Sequence, residues 1–97
     1  SFAAEAYIFF PGGFGTLDEF FEIITLIQTH KIRRVPVFLV GKDYWEPLNA
    51  FIKENVFELH QAISRHDLNL YTITDDEEQI IQAIRNVPIN DGIKRPN

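Results

Sequence analysis

The sequence predicts an α/β fold in which three strand–helix units lay down a parallel sheet. Three observations predict it. Residues 6–10 and 35–40 are apolar runs that lack the polar alternation of a half-exposed strand, as strands covered on both faces do, and residues 68–73 are apolar or β-branched apart from Asn69. Each run ends in a turn signal: Pro11-Gly12-Gly13, Gly41, or Thr74-Asp75. Each turn is followed by apolar residues at helical spacing.

The first run, Ala6-Tyr7-Ile8-Phe9-Phe10, reads as a strand from the middle of a sheet. The turn after it places three glycines in four positions, which permits φ > 0 and removes side chains that would block a close ligand. A helix is expected over residues 16–30. Its first N–H groups lack intrahelical partners, and a helix N-terminus behind a glycine turn is a ready site for phosphate. A bland alternative stands beside this. Thr16 and Glu19 have the spacing of a capping box, and Asp18 and Glu19 suit the helix dipole with no ligand. The spacing is neither that of the P-loop nor that of the dinucleotide G-x-G-x-x-G.

Along this helix Leu17, Phe20, Phe21, Ile24 and Ile27 form one apolar stripe. Ile23 and Leu26 widen it, and Asp18, Glu22, Thr25 and Thr29 form the polar face. So wide an arc is either buried within its own domain or shared with a partner subunit. Glu19 lies on the flank with Ile23, Leu26 and His30, an odd place for a solubilising charge. His30, Lys31, Arg33 and Arg34 end the helix with cations, as its dipole prefers. That helix end also accounts for Thr29-His30-Lys31, so a decarboxylase lysine is discounted.

The second strand spans residues 35–40, with Pro36 near its start, where a ladder donor is not needed. Asp43 and Glu46 have capping-box spacing, and Pro47 is tolerable in a first helical turn. Trp45, Leu48, Ile52, Val56 and Leu59 give a helical stripe reaching towards Ile63. Tyr44 and Trp45 follow a strand's carboxyl end, where open α/β sheets bind ligands. They either flank a base or ribose, or simply pack, and packing is favoured. Ser64 to Asp67 reads as a polar connection before a third strand at residues 68–73. Thr74 with Glu77, or Asp75 with Glu78, then caps a last helix marked by Ile80, Ile81 and Ile84 and limited by Pro88. That acidic cluster imitates a metal site, but a helix N-terminus accounts for it.

Composition narrows the function classes. Ninety-seven residues make one small domain at most, and 45% hydrophobic with 24% charged residues is ordinary for a globular chain. A net charge of −5 without a basic block argues against nucleic acid. There is no cysteine, and the three histidines are scattered. No apolar run approaches a membrane span, and no secretory signal pattern opens the chain. The expectation is a cytoplasmic protein without membrane contact.

Pro11-Gly12-Gly13-Phe14-Gly15-Thr16-Leu17-Asp18-Glu19 resembles the Pro-Gly-Gly-x-Gly-Thr-x-x-Glu signature of the Lonely Guy (LOG) family. Its members are Rossmann-like phosphoribohydrolases that cleave nucleoside 5′-monophosphates, cytokinin precursors among them. Many relatives carry the label "lysine decarboxylase-like". The resemblance continues through Thr25-Leu26-Ile27-Gln28-Thr29, Gly41-Lys42-Asp43-Tyr44-Trp45 and Thr74-Asp75-Asp76, to about Asn86. It implies that Gly12, Gly13, Gly15 and Thr16 hold a phosphate and that Glu19 is catalytic, acting at the ribose. It implies no cofactor and no metal, and a homodimer or larger homo-oligomer.

A lone three-stranded sheet would expose the edge of its most apolar strand. Residues 1–88 are therefore expected to be the C-terminal half, (βα)3, of one Rossmann-like three-layer domain, and 89–97 a polar tail. In the family the other half carries a second glycine-rich loop and an arginine that works with the motif glutamate. The reading that follows is a hydrolase acting on the N-glycosidic bond of a nucleoside 5′-monophosphate. The alternatives are a nucleotide-binding protein without catalysis and an inactive fragment that needs its N-terminal half.

Overall fold

A computed structural model of the chain describes residues 6–85. Along them run β1 (Tyr7–Phe9), α1 (Phe14–Gln28), β2 (Val37–Val40), α2 (Lys42–Phe51), β3 (Thr72–Thr74) and α3 (Glu77–Arg85). A π-helical segment, Ile52–Leu59, continues α2, and a 3-10 helix, Arg65–Asn69, precedes β3. The strands form one parallel sheet in the order β1-β2-β3. This is the predicted α/β class, consistent with a Rossmann-like arrangement. The expected tail at 89–97 and the stop at Pro88 lie outside the described residues.

The core sits on one face of the sheet. Tyr7 pairs with Val37, Phe9 with Leu39, and Leu39 with Ile73, so these side chains share that face. α1 packs there through Phe20, Ile23 and Ile27, and α2 adds Trp45. The Phe20 ring meets Phe9, Trp45 and Tyr71 edge-on at 5.9, 5.5 and 5.4 Å between centroids. Such geometry sets the positive edge of one ring against the negative face of another. Trp45 is fully buried, and its indole N–H donates to the Val40 carbonyl at 3.1 Å. Of the two roles open to Trp45, the structure gives it packing.

Several elements differ from the sequence reading, each for a physical reason. α1 begins at Phe14, two residues before the expected start, with Gly13 as its extended N-cap. Its cations lie past its last turn. There His30 takes a left-handed φ of 62°, while the N–H groups of His30 and Lys31 return to the carbonyls of Ile27 and Leu26. That is a Schellman end, here with histidine where glycine is usual. The third strand is only Thr72–Thr74. The Ser64 hydroxyl and Asp67 carboxylate form a capping box that winds residues 65–69 into a 3-10 helix.

The helical stripe beyond Ile52 also breaks down. The π-helical winding changes the angular spacing, and Leu59 is exposed. Ile23 is buried by the chain's own core, so it cannot be the partner contact that the wide arc of α1 left open. β1, expected in the middle of a sheet, is an edge strand among the described residues, while β2 occupies the centre.

Candidate functional site

The carboxyl ends of β1 and β2 deliver the glycine turn and the start of α2 side by side. Pro11 bridges them: a Cβ on Gly41 would lie 3.1 Å from the Pro11 Cγ. Gly41 has φ +109°, a conformation in which a side chain would be strained. The Tyr44 hydroxyl reaches back across this junction and donates to the Gly12 carbonyl at 2.7 Å.

The glycines of the turn serve different ends. None of Gly12, Gly13 and Gly15 has positive φ, contrary to one reason offered for them. A Cβ on Gly12 would overlap the Thr16 hydroxyl, so Gly12 is small because Thr16 lies against it. A Cβ on Gly13 or Gly15 would meet nothing within 4 Å. Those two leave open space beside the first turn of α1.

The capping box weighed as the alternative at that turn does not form. Thr16 is already the third residue of α1, and no side chain among the described residues accepts from the N–H groups of Phe14, Gly15 or Thr16. The other helix starts are served. The Asp75 carboxylate accepts from both Gly41 N–H and Lys42 N–H at 3.0 Å and covers the start of α2. It does what Asp43 and Glu46 were expected to do. Asp76 accepts from Glu78 N–H at 2.9 Å and starts α3, in place of either predicted box there. Ser64 and Asp67 serve the 3-10 helix. The start of α1 alone among these keeps its positive dipole end bare.

Glu19 is exposed on the second turn of α1. It stands four residues after Gly15 and three after Thr16, so the three share a helix face. The rise along the axis is about 6 Å from Gly15, and helical side chains lean towards the N-terminus. The bare amides therefore end α1, and the half-buried Thr16 and the exposed Glu19 carboxylate follow them along one side of it. Asp18, next in sequence, lies on another face and is exposed.

Sequence reasoning missed two neighbours of this site. Tyr44 carried a signal, its place after a strand, but its partner is 32 residues away. Asp75 reaches Gly41 across 34 residues, and no local pattern reports such a contact. Among the described residues no group of His, Cys, Asp or Glu side chains is arranged to hold a metal, and no helix is long and apolar enough to cross a membrane.

The family model described as "possible lysine decarboxylase" matches residues 2–84, the glycine turn and Glu19 included. The chain belongs to this family, the LOG family. Within it, the chain is 46% identical over 56 residues to a cytokinin riboside 5′-monophosphate phosphoribohydrolase of Arabidopsis thaliana, covering 57% of this chain and 25% of that one. It is 45% identical over 56 residues to a probable enzyme of the same name from Oryza sativa subsp. japonica, covering 57% of this chain and 22% of the other. A cytokinin riboside 5′-monophosphate phosphoribohydrolase of Rhodococcoides fascians is 32% identical over 81 residues, 84% of this chain and 40% of that one. This LOG-family chain thus matches between 22% and 40% of the length of these relatives.

Proposed function

We propose that these residues carry the phosphate- and ribose-facing part of a nucleoside 5′-monophosphate phosphoribohydrolase. The reaction is hydrolysis of the N-glycosidic bond, giving free base and ribose 5-phosphate. The observation that carries this reading is the bare start of α1 behind its glycine turn, with Glu19 on the same helix face. Family membership supports the reaction class, and the names of the relatives support the substrate class.

In this reading the amides at Gly12, Gly13 and Gly15 and the Thr16 hydroxyl hold the 5′-phosphate. A dianion there meets N–H donors and the positive end of a helix dipole. The ribose then extends along α1 towards Glu19. Leaving of the base builds positive charge on the sugar ring. A carboxylate beside it stabilises that charge or orients the attacking water. A carboxylate against the phosphate itself would repel it, so the separation of Glu19 from the turn matters. We also propose that further strands of the same domain pair on the outer edge of β1, and that the layers they bring cover Ile8 and Phe10, which are 37% and 62% exposed in this chain.

The test is a pair of variants in the full-length protein. Glu19→Gln keeps shape and removes charge, and Glu19 caps nothing. It is expected to lower kcat by on the order of 10² with little change in KM, the pattern of an interaction made mainly in the transition state. Gly13→Asp puts a negative charge in the open space beside the turn and is expected to weaken nucleotide binding itself. A Glu19→Gln protein that hydrolyses nucleotide at the wild-type rate removes Glu19 from the mechanism. A wild type that binds nucleotide without turnover, with the same affinity as Glu19→Gln, is a binding protein.

A further inference from the structure

We infer that Tyr44 is a positioning residue for the phosphate site: its hydroxyl, 2.7 Å from the Gly12 carbonyl, sets which way the Gly12–Gly13 peptide faces. The role rests on the glycine turn being the phosphate site. A peptide unit is planar and trans, with its C=O and N–H pointing in opposite directions. No peptide bond among the described residues is cis. Holding the Gly12 carbonyl on Tyr44 therefore aims the Gly13 N–H away from Tyr44. The surroundings of Gly13 are open, since a Cβ there would meet nothing within 4 Å.

Consecutive glycines cannot hold that orientation by themselves. Without Cβ atoms they pass readily between backbone basins, so the intervening peptide can flip. A flipped peptide would present a carbonyl oxygen where an anion needs a donor. One hydrogen bond from outside the turn separates the two states.

Tyr44 is well placed to supply it, because its own backbone is held. Its N–H donates to the Gly41 carbonyl at 3.0 Å, in the first turn of α2. The N–H groups of Gly41 and Lys42 are both fixed by Asp75. The Tyr44 ring lies edge-on to Trp45, at 4.8 Å and 81°, and Trp45 is fully buried. The turn after β1 is thus braced from the ends of β2 and β3, through a side chain that is itself only half-buried. Tyr44 is called a positioning residue because its hydroxyl acts through the Gly12 carbonyl.

The experiment compares wild type with Tyr44→Phe in the full-length protein, using ribose 5-phosphate, ribose and AMP as probes. Phenylalanine keeps the ring against Trp45 and removes the hydroxyl alone. The expected result is a thermal midpoint within about 2 °C of wild type and an affinity for ribose 5-phosphate lowered about three- to tenfold, the worth of one hydrogen bond. Ribose affinity stays unchanged. With AMP, KM rises by the same factor while kcat holds within about twofold. A Tyr44→Phe protein that binds ribose 5-phosphate as wild type does overturns the inference. So does an equal loss for ribose and ribose 5-phosphate, because that is general damage and not a phosphate effect. A wild type that binds ribose 5-phosphate no better than ribose fails at an earlier step: the phosphate-site reading falls, and the role of Tyr44 with it.

Discussion

Two residues with positive φ show how differently the same backbone state can be reached. Gly41, at φ +109°, lies against Pro11 and starts α2, and no side chain suits that place. Gly41→Ala is expected to destabilise the protein by about 1–2 kcal/mol, the cost of left-handed backbone for a residue with Cβ. Movement of the Pro11 ring would add to it, and urea unfolding would measure the sum. His30, at φ 62°, already bears such a cost at the end of α1. His30→Gly is therefore expected to stabilise the protein by up to about 1 kcal/mol, seen as a raised thermal midpoint. A neutral or lower midpoint would mean that the His30 side chain makes a compensating contact. At this scale the glycine run was legible in the sequence and the reasons for its glycines were less so. The glycine run stood out at once, yet positive φ occurs at Gly41 and not in the run, because Gly12 yields space to Thr16 and Gly13 caps in an extended conformation.

The elements were legible in kind and order, and least so at their starts. Apolar runs and helical spacing report burial, which strand and helix cores share with the sequence pattern. Capping boxes are local patterns, and here the caps come from elsewhere: Asp75 serves a helix that starts 33 residues before it. Asp67 shows the same cross-chain logic. Its carboxylate accepts from Ser64 N–H at 2.9 Å and from the Gln28 side-chain amide of α1 at 2.8 Å. Burial pushes its pKa up, but the hydrogen bonds from Ser64 and Gln28 and the charge of His66 outweigh this and hold it below the ordinary 3.8. A carboxyl lowered on folding adds stability above its unfolded pKa and loses it as pH falls through the folded value. Asp67→Asn keeps an acceptor and removes the charge. The midpoint gap between wild type and Asp67→Asn should be widest above about pH 5 and should close as pH falls towards 2. A gap that stays constant over that range would show that the charge contributes nothing. Asp75→Ala, which bares the start of α2, should cost about 1 kcal/mol at neutral pH.

For the whole molecule, the decisive feature is what β1 leaves uncovered. Its outer edge has no strand beside it among the described residues, and Ile8 and Phe10 project from the face opposite Phe9. Phe14, one turn on, is 89% exposed. An apolar strand at the edge of a parallel sheet is a template for pairing with another chain. Parallel sheets also keep both faces covered, and the apolar character of residues 6–10 is that of a strand so covered. The sequence pattern and the observed exposure therefore disagree at one place, the sheet face beside the edge on which further strands of the domain are proposed to pair. The 97 residues alone are expected to self-associate or to unfold without a cooperative transition. Sedimentation velocity and urea unfolding would both report on this. Replacing Ile8 and Phe10 together by Lys should reduce the association of the isolated chain, because charge on an exposed edge opposes pairing. In the full-length protein the same pair of substitutions should do the reverse, lowering stability by several kcal/mol by placing two unpaired charges in a covered face. A cooperatively folding monomer of 97 residues, or a full-length protein indifferent to the Lys pair, would place this edge at the surface and remove the reason for pairing further strands with β1.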